Sequence, residues 1–278
     1  MRPGQVILIV ASVALVFVIY SFGPLLPPDK ANPQKASVVA SASESDFDFE
    51  AYKSEQLKKL PADELNKFEL LQTEVQSAAD KAGKLNEVAA LLEANSLNIL
   101  AEFTKKEAAE IANQDSVWEK AGTGLYSVAY TADNPQLTKY VSAQAIACYE
   151  KALELNPDNE DAKINLAVAH LEGQTEPMKG VTLLREITDK DPDNVTANLI
   201  LGKYGIVSGQ FDKAVQRFEK VLAVDSLNAD AYLYLAQAYE SLGEKEKAIE
   251  MLVKCRSLVG DPGFADDINK YIDKLKNS

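Results

Sequence analysis

One spacing constrains this chain more than any other: helix stops recur every 34 or 35 residues. In "YEKALELNPDNEDA" (residues 149–162), Tyr149, Ala152, Leu153 and Leu155 hold helical spacing until Asn156-Pro157-Asp158-Asn159 breaks it. "ITDKDPDN" (residues 187–194) ends the next helix with the same Pro-Asp-Asn, and Pro157 and Pro192 lie 35 apart. Ser226 in "AVDSLNADA" stands 34 residues past Pro192. Ala214 and Ala248 are also 34 apart, as are Gly209 and Gly243, each at a turn between helices. A helix–turn–helix unit of this length cannot bury its own faces, so neighbouring units must stack. No stretch alternates with period two, so strands are not expected.

The residues within the period resemble the tetratricopeptide repeat family. "AYLYLAQAYESLGEKEKAIEML" supplies Tyr232, Leu235, Ala236, Tyr239, Gly243, Ala248 and Leu252 to that pattern. "LGKYGIVSGQFDKAVQRFEKVL" supplies Leu201, Gly202, Gly209, Phe211, Ala214, Phe218, Val221 and Leu222. "AKINLAVAHLEGQTEPMKGVTLLREI" is looser, with a longer turn around Pro177. The first repeat is interrupted. Trp118, Ala121 and Gly122 resemble its first helix, and Ala145, Tyr149, Ala152, Leu153 and Pro157 its second. Between them "YTADNPQLTKYVS" adds about 11 residues to the usual turn. The resemblance implies an all-α, tetratricopeptide helix–turn–helix solenoid over residues 114–262. Small residues such as Gly202, Ala214 and Ala248 let paired helices approach, and larger ones fill the grooves. Pro and Asn-Asp end each second helix and set the angle of the next. Residues 263–278 are expected to cap the stack, with Phe264, Ile268, Tyr271, Ile272 and Leu275 facing inward. Residues 46–113 are a helical extension that admits degenerate repeats, with Val88 and Leu92 standing where Ala and an aromatic usually do.

The N-terminus carries a different signal. "VILIVASVALVFVIYSF" (residues 6–22) runs 17 residues without a charge, and "GPLL" extends it to 21. At about 1.5 Å per residue this spans a hydrocarbon layer of about 30 Å. A cleaved signal peptide would have a shorter apolar region and a nearby small-residue site, whereas Ala40-Ser41-Ala42 comes too late. Residues 1–26 are therefore expected to be a transmembrane anchor, and the Pro-, Ser- and Ala-rich residues 27–45 a flexible linker. The first 45 residues carry Arg2, Lys30 and Lys35 against Asp29 and Glu44, a net +1, so of the chain's −13 the body carries −14. A body this acidic is repelled by phosphate, which excludes nucleic acid as a partner and disfavours lying on anionic lipid. The short tail before the span favours an inside N-terminus, with the body periplasmic on a bacterial inner membrane.

Chemistry is sparse. The one histidine, His170, and two remote cysteines, Cys148 and Cys255, cannot assemble a triad or a metal cluster. No catalytic residue, metal or cofactor is expected. "AGTGLY" (residues 121–126) lacks the Lys and the preceding strand of a phosphate loop and is expected to serve helix packing. Asn194-Val195-Thr196 is a glycosylation sequon.

The family resemblance implies a partner-binding groove on the first helix of each repeat. Its positions map to Tyr126, Ile164, Val168, Leu171, Leu199, Lys203, Ile206, Val207, Leu233 and Gln237, an unusually apolar set. A chaperone-tail clamp is disfavoured, because its basic positions are occupied by Asp230 and Tyr234, or by Thr196 and Ile200 one repeat earlier. The expected function is a membrane-anchored adaptor that binds a protein or peptide partner and assists client assembly or handling, with self-association left open. The alternative is an organelle-membrane receptor with cytosolic repeats that recognises amphipathic targeting peptides.

Overall fold

In the computed structural model, residues 47–132, 134–173 and 176–277 are described. The expected anchor at 1–26 and linker at 27–45 lie outside them. Among the described residues no helix is long and apolar enough to cross a membrane.

The described chain is all helix. It runs α1 (Phe49–Leu57), α2 (Ala62–Ser77), α3 (Lys81–Ala94), α4 (Asn98–Ala112), α5 (Asp115–Ala129), α6 (Pro135–Leu155), α7 (Glu160–Glu172) and α8 (Pro177–Lys190). It continues with α9 (Val195–Val207), α10 (Phe211–Val224), α11 (Ala229–Ser241), α12 (Lys245–Leu258) and α13 (Pro262–Asn277). The most extensive packing joins α3 to α4, α5 to α6, α7 to α8, α9 to α10 and α11 to α12, and each pair stacks on the next.

The recurrent stop is a four-residue device. In all three copies the last residue caps the following helix: Asn159, Asn194 and Asn228 accept from the backbone N–H groups of Ala162, Ala197 and Ala231 at 3.0, 2.9 and 2.9 Å. The first residue closes the turn with its side chain. Asn156, Asp191 and Asp225 accept from the N–H two residues on, at 3.1, 3.2 and 3.2 Å. The third copy has Ser226 in place of proline and keeps the same bonds. The joint therefore belongs to the flanking Asx residues, and proline only pre-sets a backbone they already impose.

The turns inside pairs have their own rule. Gly209 (φ +73°) and Gly243 (φ +78°) take the left-handed conformation. The next residues, Gln210 and Glu244, donate back to Gly205 and Tyr239 at 2.7 and 2.9 Å, the six-residue loop that closes a helix end. Ser96 (φ +61°) does the same between α3 and α4, where Leu97 donates to the Leu92 carbonyl at 2.9 Å. Helix α3 is thus the first helix of its pair. Val88 and Leu92, both fully buried, lie on that first helix rather than where the second helix's Ala and aromatic would stand.

The insertion is not a lengthened turn. Asn134 caps from its side chain to the Gln136 N–H at 2.8 Å, Pro135 occupies the first helical turn, and α6 runs 21 residues, against 14 for α8, α10 and α12. Leu137, Val141, Ala145 and Cys148 continue its apolar stripe and are buried.

The core forms a string of clusters along the stack, first in α2–α4, then in α4–α7, α7–α9 and α10–α13. One contact shows how tightly the pairs close. A Cβ added at Gly202 on α9 would lie 2.5 Å from the ring of Phe218 on α10, so only glycine admits that ring. At the C-terminal end α13 buries Ile268, Ile272 and Leu275 against α11 and α12, with Phe264 and Tyr271 half-buried beside them.

A tyrosine and carboxylate surface on the first helices

Helices α5, α7, α9 and α11 are the first helices of their pairs and neighbour one another directly. Each offers side chains at i, i+4 and i+7 or i, i+3 and i+7 on one stripe. On α5 these are Glu119, Thr123 and Tyr126; on α7, Asn165, Val168 and Glu172; on α9, Leu199, Lys203 and Ile206; on α11, Asp230, Tyr234 and Gln237.

Two polar networks cross from α5 to α7. Asn165 donates to Glu119 Oε1 at 2.9 Å and to Thr123 Oγ1 at 3.2 Å, while Thr123 donates to Glu119 at 2.9 Å. Burial holds the Glu119 carboxyl above the usual range, opposed by those donors. One helical turn along, the Tyr126 hydroxyl donates to Glu172 Oε2 at 2.6 Å, and the Tyr130 hydroxyl lies 2.7 Å from that of Tyr126. Burial and the neighbouring Glu172 carboxylate push the Tyr126 phenol far above its ordinary value, so it remains a donor at any physiological pH. Tyr130 stays 62% exposed, the edge of the set that a partner would meet first.

The network continues onto α9 and α11. The Lys203 ammonium sits 5.2 Å from the centre of the Tyr234 ring. The Tyr234 phenol is pushed up to about 12 by burial and then by the charges of Asp230 and Glu172. Asp230 is raised by burial, with Lys203 pulling the other way. Glu119, Glu172 and Asp230 thus stand on this surface with Lys203 as the cation among them.

The residues expected from the family pattern divide. Tyr126, Lys203 and Gln237 are half-buried on the stripe. Ile164 and Leu233 are each only 6% exposed and belong to the packing beneath it, so they support the surface and do not line it. Val168 and Leu171 lean on the α7–α9 cluster, and Leu199 and Ile206 on the α10–α13 cluster. Val207 is 78% exposed at the end of α9. The stripe is therefore mixed: Val168, Leu199 and Ile206 remain part-exposed on it beside Tyr126, Lys203 and Gln237, and polar groups from α5, α7 and α11 interrupt the apolar set. Sequence reasoning missed Glu119, Thr123, Tyr130, Asn165, Glu172, Asp230 and Tyr234 as a set. Their helical spacing was visible, but their convergence across helices was not.

Other candidate groups have structural roles. His170 is 3% exposed on α7 with its Nε2 3.8 Å from Glu176, and burial lowers its pKa, with Lys179 adding to that shift. Cys148 and Cys255 are buried free thiols, each pushed up to about 12 by burial. The Gly-x-Gly of residues 122–124 lies within α5. The sequon Asn194 is engaged as a helix cap and donates to Glu160 at 2.8 Å. Among the described residues no group of three or more His, Cys, Asp or Glu is placed to hold a metal ion.

Comparison with known proteins bears on the repeats and the fold. Residues 207–254 match the tetratricopeptide repeat family, and residues 143–173 match the TPR repeat. The human protein described as antiviral innate immune response effector IFIT1 is 30% identical over 118 residues, 40% of this chain. This chain spans only 25% of that protein's length. Among solved structures, MamA residues 41 to the end from Desulfovibrio magneticus RS-1 superposes with a TM-score of 0.53 at 17% identity, covering 65% of this chain and 96% of that one. A second MamA crystal structure gives 0.52 at 16% identity, covering 65% and 93%. At such identities the likeness speaks for the fold alone. The helix pairs, their period and these matches together establish that the chain carries tetratricopeptide repeats, stacked as an all-α solenoid.

Proposed function

We propose that the protein is a membrane-anchored adaptor that holds a partner protein or peptide across α5, α7, α9 and α11, tethered by the apolar segment of residues 1–26. It assists assembly or handling of clients at a bacterial inner membrane, with the repeats on the periplasmic side. One observation carries the partner's chemistry: Glu119, Glu172 and Asp230 stand on the same stripe as Tyr126, with Tyr130 beside it and Glu172 already accepting from Tyr126. Such a surface favours a segment that brings cations and hydrogen-bond donors, a lysine- or arginine-bearing stretch. The chain's net charge of −13 steers the same kind of partner.

The carboxylates also favour a second reading, an organelle receptor whose cytosolic repeats take basic amphipathic targeting helices. A C-terminal reporter active only outside the cytoplasm separates the two: activity supports the periplasmic adaptor, and silence supports the receptor. The binding surface itself is tested by a photo-crosslinking residue at Tyr130 in membranes, with and without Glu172→Lys. The expected outcome is a captured partner lost at least about tenfold on charge reversal, a loss of about 1.4 kcal/mol. Capture unaffected by Glu172→Lys would show that this surface is not the site.

A further inference from the structure

Helix α1 is held unlike the others. None of its residues is fully buried, and it does not join the close helix-to-helix packing of the stack. Its hold is through aromatic rings. Phe49 meets Phe103 on α4 with ring centres 4.0 Å apart and Tyr140 on α6 at 5.4 Å. Phe47 meets Tyr140 at 5.6 Å, and Tyr52 packs beside both phenylalanines at about 6 Å. Two cavities border the helix. One of about 10 Å³ lies against Phe49, Lys53, Leu57, Phe68 and Phe103; the other, about 160 Å³, lies against Tyr52, Gln56, Leu97, Asn98 and Thr131. The second is open to solvent and lined mainly by polar groups, so one flank of α1 faces water and not core. The connection to α2 is short, residues 58–61, and Leu60 is buried in the α2–α4 core, which fixes one end of the hinge.

The seat itself is well formed. Phe103 and Tyr140 stack at 5.8 Å and 10° between ring planes, joining α4 to α6 directly, and Phe49 packs on both. Tyr140 exists in this position because the insertion extends α6, so the seat joins the N-terminal extension to the first repeat. The chemistry it takes is shown by its occupant: aromatic residues at i, i+2 and i+5, an Asp48 cap that accepts from the Ala51 N–H at 2.9 Å, and Glu50 in the first turn.

We propose that the face made by α4 and the start of α6 is a second peptide-docking site, that α1 occupies it as a displaceable latch, and that its external ligand is a short helix with aromatic residues spaced like Phe47, Phe49 and Tyr52 and a lysine placed, like Lys53, toward Glu107. This site is separate from the first-helix surface and does not rest on the function assigned there.

The test uses the full chain in detergent and a fluorescent peptide of residues 46–58, read by anisotropy. The latch competes at an effective concentration on the order of millimolar. The Phe47→Ala/Phe49→Ala chain is therefore expected to bind the peptide at least about tenfold tighter than the unaltered chain. Adding Tyr140→Ala is expected to remove that gain. Hydrogen exchange on the unaltered chain supplies a readout independent of folding in the variants: α1 amides should exchange at least about a hundredfold faster than those of α3 and α4, because they open locally. Equal exchange in α1 and α4, or equal peptide affinity for both chains, would overturn the proposal. Spontaneous dimers with α1 exchanged between copies would also overturn it, since the occupant would then be a second copy and not a partner.

Discussion

The recurrent stop allows a sharp experiment, because three copies of one joint keep the capping Asn and an Asx at the first position while the proline is replaced by Ser226 in the third. Asn194→Ala removes the 2.9 Å cap to the Ala197 N–H and the 2.8 Å bond to Glu160. Loss of an Asn cap costs about 1 kcal/mol and at most about 2, and the exposed Glu160 bond adds little. Pro192→Ser copies the third joint, where Ser226 already stands. It leaves Asp191's turn bond and both carbonyls that receive Asn198, those of Pro192 and Asn194, in place. Its cost is the unfolded chain's regained freedom, about 0.4–1 kcal/mol. The reverse change, Ser226→Pro, should stabilise by a similar amount. Asp225 (φ −123°, ψ 84°) already has the extended backbone that Asp191 (φ −129°, ψ 91°) shows before Pro192. At about 2–4 °C per kcal/mol, Asn194→Ala should lower the melting temperature by about 2–8 °C and Pro192→Ser by about half of that or less. Thermal and urea unfolding followed by circular dichroism measures the order. Hydrogen exchange at the start of α9 shows whether the loss is local, as stacked repeats allow. A Pro192→Ser chain that melts below Asn194→Ala, or a Ser226→Pro chain that is destabilised, would refute the assignment of the joint to its Asx residues.

Three further outcomes are expected. Gly202→Ala places a methyl 2.5 Å from the Phe218 ring and should cost about 1–3 kcal/mol, read as a lower urea midpoint with unchanged m. Burial lowers the His170 pKa in the folded chain, so its contribution is full above the unfolded value near 6.5 and is lost as pH falls below it; melting should decline between pH 7 and 5, and His170→Gln should flatten that slope. Cys148 and Cys255, with pKa values pushed up to about 12, should resist thiol reagents in the native chain and react only on unfolding; rapid labelling at neutral pH would contradict their burial.

Much of the architecture was legible in order, residue by residue. Gly202 and Ala214 marked where paired helices approach, Gly209 and Gly243 marked the turns, and Asn156 to Asn159 marked a stop, because each depends on backbone conformation within a few residues. The insertion was read less well. Its Asn134-Pro135 start is a helix signal, but a family pattern that expects a turn there hid it. The binding surface was legible only in part. Tyr126, Lys203 and Gln237 were on it, whereas Ile164 and Leu233 were beneath it. A helical stripe shows which residues share a face and not whether a neighbouring helix covers that face.

The sequence by itself determined an all-α stack, since a 34-residue period of helix and turn has no other way to bury its apolar faces. Tertiary structure decided which residues stay outside. Packing of α5, α7, α9 and α11 against one another withdrew Ile164 and Leu233 and brought Glu119, Asn165, Tyr126 and Glu172 onto one surface. It also set Phe103 beside Tyr140, 37 residues apart in the chain, and seated α1 on them. Local propensity reports on the nearest turn of helix; the meeting of side chains from separate helices depends on distances that only the folded stack sets.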